Sequence, residues 1–324
     1  MIMGVQISKV AYYLPEKVLT NEELSMQFPD WTPERIYDKI GVNTRHIVGA
    51  NETALDLAVK ASRKVLENEN VSTIDFVILC TQSPDYFLPT SACILHDKIG
   101  LKEQAGAFDI NLGCSAYIYA LSVAKGLIFA NVAKKVLLVT AETYSKHLDN
   151  NDKGNRTIFG DAASASIIEL SENNKIFDFV LGTDGSNFDK LIVPNGGFKN
   201  KISSENHQDN FLQMNGPEIF NFTIQKVPIT VKQILEINNM LIDDIDFFLF
   251  HQANKYILDY LRKKIKIPQD KFFLDLSDTG NTVSSTIPIG LSKLTQNNRL
   301  KKGDKVLLVG FGVGLSWGAT IIEI

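Results

Sequence analysis

Cys114 is the first residue whose type and position suggest chemistry. It follows a strand-like segment, 107–110, and precedes a stretch, 116–130, that is apolar nearly all round and is expected to be a buried helix. The positive end of a helix dipole favours a thiolate, which is the nucleophilic form of cysteine. The sequence therefore offers Cys114 as a nucleophile, while a small buried core residue is the other interpretation.

His251 directly follows the apolar run 247–250, in the segment His251-Gln-Ala-Asn254. Functional sites in α/β sheets gather at the C-terminal ends of strands. A neutral imidazole at such a place can donate one hydrogen bond to a carbonyl oxygen or exchange a proton. The alternative is a strand-end histidine that bonds only to the backbone.

Two further segments could supply hydrogen-bond donors. Asn281 could present its side-chain amide to a developing oxyanion, although Gly280 and Asn281 also suit an ordinary turn. The segment Gly310-Phe-Gly-Val-Gly314 follows an apolar strand and could direct backbone N–H groups inward, or could simply form a tight turn. It fits neither a phosphate loop nor a dinucleotide-binding fingerprint.

The elements that must position these residues occur twice in the sequence. The segments 71–79 and 242–250 are similar, and Lys135-Val-Leu-Leu-Val matches Lys305-Val-Leu-Leu-Val at nearly the same offset. Short, continuously apolar runs are typical of strands buried on both faces, and helical patterns at 55–67, 116–130 and 220–237 alternate with them. We therefore expect a duplicated, layered α/β architecture, with chance similarity of short apolar runs as the alternative.

The bulk composition excludes several function classes. The 324 residues carry a net charge of −4, which gives no reason to expect nucleic-acid binding. No apolar run approaches the length of a membrane span, and residues 1–16 suggest a strand ending near Pro15, not a signal peptide. Cys80, Cys93 and Cys114 are widely spaced, so we expect no disulfide framework, no metal site and a reducing, cytoplasmic setting.

Seven short motifs, taken in order, identify a family resemblance. They are Tyr13-Leu-Pro-Glu16, Gly41-Val-Asn-Thr-Arg-His46, Leu112-Gly-Cys-Ser115, Phe159-Gly-Asp161, His251-Gln-Ala-Asn254, Gly280-Asn-Thr282 and Phe311-Gly-Val-Gly-Leu-Ser-Trp-Gly318. From about residue 5 to the C-terminus, the chain resembles β-ketoacyl-[acyl-carrier-protein] synthase III in the thiolase superfamily. The resemblance implies a thiolase-like duplicated five-layer α/β/α/β/α fold, which we divide into residues 1–172, carrying the cysteine, and 173–324, carrying the histidine and asparagine.

The resemblance also implies roles for the candidate residues. Cys114 would take an acyl group from an acyl-CoA, and the backbone N–H groups of Cys114 and Val313 would form the oxyanion hole. His251 and Asn281 would hold the carbonyl of a malonyl thioester during decarboxylation and stabilise the enolate. The implied reaction is the decarboxylative Claisen condensation of an acyl-CoA starter with malonyl-ACP, so the chain would be an acyltransferase.

A coenzyme A channel follows from the same resemblance, with the CoA thioester as a substrate and no permanently bound cofactor. Its expected lining residues are Trp31, Arg35, Lys39, Lys153, Arg156, Gly216, Phe220 and Asn254. The segment 31–41 is longer than in the housekeeping enzyme of the family. Lys153 stands where an arginine is usual, and lysine lacks the planar fork of a guanidinium group.

Two surface regions are expected to meet partners. The basic residues Lys255, Arg262, Lys263, Lys264 and Lys266 would suit an acidic carrier protein, although Tyr256 replaces the arginine of the housekeeping enzyme and a solvated helix face is the alternative. Phe87 and Leu88 would shape the acyl pocket near the partner subunit of a homodimer. The amino-acid sequence of 84–89 resembles the corresponding segment of relatives in specialised pathways more than that of the housekeeping enzyme.

Other functions remain open from the sequence. The same three residues could transfer an acyl group to an amine or hydroxyl, or condense two acyl groups without decarboxylation. A thiolase activity fits less well, because it needs a second cysteine near the C-terminus and none lies beyond Cys114. A non-catalytic acyl-CoA or carrier-protein binding role is remote, since Cys114, His251 and Asn281 are all present.

Overall fold

The computed structural model describes residues 4–324, which form strands β1–β13 and helices α1–α9. The strands are β1 (Gly4–Tyr13), β2 (Val18–Thr20), β3 (Thr44–His46), β4 (Phe76–Cys80), β5 (Gly106–Ile110), β6 (Lys135–Glu142), β7 (Ala162–Ser171), β8 (Ile176–Thr183), β9 (Leu191–Ile192), β10 (Gln213–Met214), β11 (Phe247–Phe250), β12 (Lys305–Gly312) and β13 (Ser316–Glu323). The helices are α1 (Asn21–Gln27), α2 (Pro33–Ile40), α3 (Ala54–Val65), α4 (Ser91–Lys98), α5 (Ala116–Phe129), α6 (Lys153–Ile158), α7 (Gly216–Ile237), α8 (Lys255–Ile265) and α9 (Thr286–Gln296). The first three residues of the predicted N-terminal strand lie outside the described residues.

Two large sheets have the same strand plan. The first sheet has the order β1-β7-β6-β4-β5 and the second the order β8-β13-β12-β11. In each sheet the two strands that carry the repeated Val-Leu-Leu-Val and apolar runs pair in parallel, β4 with β6 and β11 with β12. The counterpart of β5 in the second sheet is reduced to a single bridge between Phe248 and Phe272. The division predicted after residue 172 falls in the turn between β7 and β8.

Asp75 and Asp246, which occupy matching positions in the similar segments 71–79 and 242–250, have the same structural role in the two halves. The Asp75 carboxylate accepts a hydrogen bond from the backbone N–H of Lys135 at 3.2 Å, and Asp246 accepts from Lys305 at 2.8 Å. Each aspartate also donates its own backbone N–H to the carbonyl of that same lysine. In both halves an aspartate therefore fixes where the neighbouring parallel strand begins, which sets the register of the pair.

Three separate apolar cores make the five layers. Helices α3 and α4 cover the outer face of the first sheet, and α7 and α8 cover the outer face of the second. Helices α5 and α9 lie between the sheets, where Ile118 and Leu291 belong to one cluster with side chains from both sheets. The layers are therefore α3/α4, first sheet, α5/α9, second sheet and α7/α8, as the resemblance implied.

Most predicted helices are confirmed, with shifts at their ends that have local causes. The helix predicted at 116–130 is α5, and the one at 55–67 is α3, which begins earlier because Thr53 and Asp56 form a capping box. Helix α7 begins before the predicted Phe220 because Asn215 caps it. The segment 149–152 leads into α6 because the Asp152 side chain accepts from the N–H groups of Gly154 and Asn155.

The N-terminus of α5 is packed directly against β12. A Cβ atom added to Gly310 would lie 2.8 Å from the Cα of Ser115 and 2.9 Å from the carbonyl oxygen of Cys114. The hydroxyls of Ser115 and Ser316 also meet at 2.7 Å, which joins α5 to β13. These contacts of Gly310 and Ser316 with Ser115 join the two halves, and they fix the position of Ser115, the residue that precedes α5.

Replacing Gly310 with alanine tests this contact. The added methyl group would force backbone atoms apart, so we expect Gly310→Ala to lower the free energy of unfolding by about 1–3 kcal/mol. Gly126→Ala is the matched control, because Gly126 is an exposed residue of α5, the helix that Gly310 packs against, and has open space around its Cα. The control should gain about 0.5–1 kcal/mol from helix propensity. Equilibrium denaturation measures both, and equal stabilities for Gly310→Ala and wild type would contradict the packing.

Candidate active site

Cys114 lies at the junction of the two halves, near the end of the connection between β5 and α5. Its side chain is only 6% exposed. A Cβ atom added to Gly312 would lie 2.9 Å from the Cys114 Sγ, so the backbone of β12 packs against the thiol. On the other side Cys114 belongs to an apolar cluster with Tyr144, Phe159 and Val283.

Burial opposes the effect of the helix dipole, which favours the thiolate form of Cys114. Burial raises the pKa of the thiol to about 12, and the nearby carboxyl of Glu142 adds to that rise. The backbone N–H groups of Cys114 and Val313 act in the opposite direction as hydrogen-bond donors to the sulfur, with a smaller effect. The sulfur is therefore a neutral thiol near pH 7, and the same two N–H groups favour negative charge on it.

His251 continues the ladder of β11, because its backbone N–H donates to the carbonyl of Val309 at 2.7 Å. Its ring is buried, packs edge-on against Phe311 at 5.4 Å, and has Nδ1 2.7 Å from the hydroxyl oxygen of Thr286. Burial lowers the pKa of His251 to about 3. The imidazole is therefore neutral near pH 7, with one ring proton whose position depends on Thr286.

Asn281 is held by a loop that pairs with the segment before Asp161. Its backbone N–H donates to the carbonyl of Ile158, and its carbonyl accepts from Gly160. A Cβ atom on Gly280, whose φ is +64°, would lie 2.7 Å from the carbonyl oxygen of Ile158, so the turn requires glycine. The Asn281 Oδ1 accepts from the backbone N–H of Val283 at 2.9 Å, which leaves the amide NH₂ as the donor directed outward.

A chain of contacts brings the three predicted residues together. Gly312 touches the Cys114 thiol, and the adjacent Phe311 packs on His251. Thr286 contacts both His251 and the carbonyl of Val283, at 2.7 and 3.1 Å. Val283, which takes a strained positive φ of 55°, also fixes Asn281 and contacts the Cys114 cluster. The site thus combines a buried thiol, two inward backbone donors, a neutral imidazole and a fixed amide.

Glu142 is a buried carboxyl beside the site that the sequence analysis did not single out. Its carboxyl is fully buried at the end of β6 and accepts from the backbone N–H of Gln82 and the hydroxyls of Ser83 and Ser284. Burial raises the pKa of Glu142 to about 8, while these hydrogen bonds lower it. One signal was available, since a glutamate at the end of the apolar run Lys135-Val-Leu-Leu-Val-Thr-Ala is unusual.

The structure collects four of the residues assigned to coenzyme A. The Trp31 ring centroid is 4.9 Å from the Lys39 Nζ and 5.8 Å from both the Arg35 guanidinium carbon and the Lys153 Nζ. Lys153 also pairs with the carboxylate of Asp30. An aromatic face surrounded by three cations at the surface is suited to a ligand that combines a planar base with phosphates.

The other assigned residues are more dispersed. Asn254 caps α8, where its Oδ1 accepts from the N–H of Ile257, and Phe220 packs on Tyr256 and Tyr260. Gly216 begins α7 in open space. Arg156 bonds to Asn150 and lines a separate cavity of about 390 Å³ beside Lys146.

Phe87 and Leu88 do not reach Cys114 within one chain. They are 75% and 79% exposed and form an apolar surface with Phe198, which is 95% exposed. The Phe87 and Phe198 rings are 5.8 Å apart.

Comparisons with known proteins agree with this geometry. The model of the 3-oxoacyl-[acyl-carrier-protein] synthase III family matches residues 108–185, and the model of its C-terminal region matches 235–324. The β-ketoacyl-[acyl-carrier-protein] synthase III of Clostridium perfringens strain ATCC 13124 is 40% identical over 319 residues, covering 96% of this chain and 97% of the relative. The chain belongs to the β-ketoacyl-[acyl-carrier-protein] synthase III family.

Solved structures of the family share the whole fold. A 3-oxoacyl-(acyl-carrier-protein) synthase III crystal structure has a TM-score of 0.97 at 44% identity, covering 99% of this chain and 100% of that one. The 3-oxoacyl-(acyl-carrier protein) synthase of Burkholderia xenovorans LB400 has a TM-score of 0.92 at 34% identity, covering 99% and 94%. The chain is therefore an acyltransferase of the β-ketoacyl synthase III type with the thiolase-like fold. Among residues 4–324, no helix is long and apolar enough to cross a membrane.

The buried Glu142 predicts a pH dependence of stability. The folded chain keeps the Glu142 proton up to about pH 8, whereas the unfolded chain releases it near the ordinary value of 4.5. Between these values the folded state binds more protons, so stability falls as pH rises, by at most about 1.4 kcal/mol per unit for this group. Glu142→Gln lacks the proton and should lose this slope. Urea denaturation of wild type and Glu142→Gln from pH 5 to 8 gives the contribution of Glu142 as the difference between their free energies of unfolding. If these free energies changed in parallel with pH, the raised pKa of Glu142 would be contradicted.

Proposed function

We propose that this chain condenses an acyl-CoA starter with malonyl-ACP, with loss of carbon dioxide, through an acyl group carried on Cys114. The observation that carries the proposal is the convergence of two different donor sets on one buried thiol. The backbone N–H groups of Cys114 and Val313 lower the pKa of the thiol, and His251 and Asn281 are linked to the surroundings of the thiol through Phe311 and Val283. Two donor sets suit a reaction in which negative charge develops at two different oxygens.

The first step of the proposal is acyl transfer. The Cys114 sulfur attacks the thioester carbonyl, the bond between that carbon and the coenzyme A sulfur breaks, and the thiol proton leaves with coenzyme A. The backbone N–H groups of Cys114 and Val313 would stabilise the oxyanion of the tetrahedral intermediate. Because the resting thiol is neutral, this step moves one proton, overall, from the Cys114 sulfur to the coenzyme A sulfur.

The second step is decarboxylative condensation. The carbon–carbon bond to the malonyl carboxylate breaks, carbon dioxide leaves, and the electron pair forms an enolate whose oxygen would be held by His251 and Asn281. The enolate carbon attacks the acyl-Cys114 thioester, and the Cys114 sulfur leaves and takes up one proton. Neutral donors favour this oxyanion over the uncharged thioester carbonyl, which lowers the barrier instead of tightening substrate binding.

Thr286 would decide which nitrogen of His251 carries the proton. For the enolate to be stabilised, Nε2 must carry the hydrogen, so Nδ1 must accept a hydrogen bond. We assign that donor as the Thr286 hydroxyl, 2.7 Å away, whose single hydrogen would then point to Nδ1 and not to the Val283 carbonyl at 3.1 Å. Thr286 is thus a positioning residue that acts through His251.

Two surfaces support the proposed substrates. The cluster of Trp31, Arg35, Lys39 and Lys153 would hold the nucleotide end of coenzyme A, as a substrate and not a resident cofactor. Helix α8 and its C-terminus expose Lys263, Lys264 and Lys266, which would complement an acidic carrier protein. Phe220, Gly216 and Asn254 lie at the near ends of α7 and α8, in reach of a pantetheine arm between these surfaces.

A homodimer in a reducing, cytoplasmic setting completes the proposal. The exposed apolar surface of Tyr86, Phe87, Leu88 and Phe198 supports association with a second copy, because monomers rarely expose such a patch. The three cysteines are all free, as the chemistry of Cys114 requires.

Intact-protein mass spectrometry with acyl-CoAs tests the reaction. Wild type should gain one acyl group from acetyl-CoA or another starter, and Cys114→Ala should gain none, because no other thiol lies beside the donors. Cys80→Ala is the matched control, since that thiol is fully buried in the core between the sheets and is not in the cluster that contains Cys114. Adding malonyl-ACP should discharge the wild-type adduct and release carbon dioxide.

The same experiment separates the alternatives. An adduct that forms on Cys114 but ignores malonyl-ACP would contradict the condensation and favour acyl transfer to an amine or hydroxyl. Discharge by a second acyl-CoA without carbon dioxide would favour a non-decarboxylative condensation. No adduct from any acyl-CoA would contradict the first step and leave a binding role or an acyl-ACP donor.

A further inference from the structure

The segment 281–286 carries the anchors of both proposed enolate donors. The Asn281 Oδ1 accepts from the backbone N–H of Val283, which leaves the amide NH₂ free to donate. At the other end of the segment, the Thr286 hydroxyl lies 2.7 Å from the His251 Nδ1. A shift of this short segment would therefore disturb both donors at once.

Val283 is the strained point of the segment. Its φ of 55° lies in the left-handed region, where a β-branched residue persists only when its surroundings hold it there. Relaxation of Val283 toward an ordinary conformation would turn its N–H away from the Asn281 Oδ1. The orientation of the Asn281 amide therefore depends on contacts that restrain the chain next to Val283.

Two consecutive serines after Val283 provide such contacts. The Ser284 hydroxyl donates to the Glu142 Oε1 at 3.3 Å. The Ser285 Oγ lies 2.7 Å from the Thr140 Oγ1 and 3.4 Å from the Thr140 carbonyl oxygen. Both serines are buried, so their partners would lose a hydrogen bond that bulk water could not replace if either hydroxyl were removed.

The partners of both serines lie on β6, in the other half of the chain. Thr140 and Glu142 are two residues apart, so their side chains leave the strand on the same face. Thr140 is held in turn by the Ser164 hydroxyl of β7 at 2.8 Å, and Glu142 by the backbone N–H of Gln82 at 3.1 Å. The first sheet and its adjoining turn thus form a fixed base for the segment 281–286.

We propose that Ser284 and Ser285 are positioning residues for the condensation step. Their hydrogen bonds to β6 keep the segment 281–286 in the conformation that presents both enolate donors. The proposal rests on the decarboxylative condensation proposed above and adds residues that act on its second step. Acyl transfer uses the backbone N–H groups of Cys114 and Val313 instead, so loss of a serine hydroxyl should spare the first step.

Single-turnover kinetics of the two steps test this proposal. Ser284→Ala and Ser285→Ala each remove one hydroxyl with little change in side-chain volume. We expect both variants to acetylate Cys114 from acetyl-CoA at the wild-type rate. They should discharge the acetyl group to malonyl-ACP about tenfold or more slowly, because a small misplacement of a catalytic donor is costly. The KM for malonyl-ACP in the discharge step should not change, since the lost stabilisation belongs to the transition state.

Ser83→Ala is the matched control. The Ser83 hydroxyl donates to the same Glu142 carboxyl at 3.1 Å, but from the turn after β4, so this variant removes a similar contact outside the segment 281–286. It should leave the ratio of the two rates at the wild-type value. Discharge is followed only on protein that has first been acetylated, so a misfolded fraction of any variant does not enter the rate.

The outcomes distinguish this inference from the proposed function. Discharge at the wild-type rate in either Ser284→Ala or Ser285→Ala would overturn the inference alone, because wild type would still condense. Equal slowing of both steps, or slow discharge in Ser83→Ala as well, would also overturn it, since the serines would then have only a general structural role. Wild type that is not acetylated, or that keeps its acetyl group with malonyl-ACP, would overturn the proposed function and this inference with it.

Discussion

The burial of α5 between two sheets is the constraint on which the active site depends. Tyr117, Ile118 and Leu121 are fully buried, in a cluster with side chains from both halves. Each large apolar side chain contributes about 1.5–3 kcal/mol on burial, so α5 cannot leave this position without exposing much of the central core. Because Gly310 and Gly312 pack against the first residues of the helix connection, Cys114 is placed by both halves at once. The site exists only where the halves meet.

A second, polar constraint joins the turns around that site. The Glu142 carboxyl binds the turn that carries Gln82 and, through Ser284, the loop that carries Asn281 and Thr286. A buried carboxyl is costly unless it is hydrogen-bonded or protonated, and here both conditions hold. The turn that carries Gln82 and the segment that carries the proposed enolate donor Asn281 therefore share one support. The same low-polarity surroundings keep Cys114 and His251 neutral.

The sequence predicted those features that are encoded locally or repeated. The apolar periodicity of 116–130 predicted α5, and the paired Asp75 and Asp246 runs predicted the duplicated sheets. The motifs identified the family but not the environment of its residues. The helix-dipole argument for Cys114 did not include the burial of the thiol, which raises its pKa and depends on packing from distant segments. Tyr144 and Gln82 are 62 positions apart, and Glu142 and Ser284 are 142 apart, so no local pattern could connect them.

The central claim is that the two donor sets serve different steps, and a single-turnover experiment tests it most directly. Cys114 is first acetylated in wild type, His251→Ala and Asn281→Ala, and the loss of the acetyl group is then followed after mixing with malonyl-ACP. The account predicts that both variants form the adduct but discharge it about 100-fold or more slowly than wild type, because each lacks one enolate donor. Discharge at the wild-type rate in either variant would contradict the account. So would a folded variant that cannot be acetylated, because the two donor sets would then not be separable.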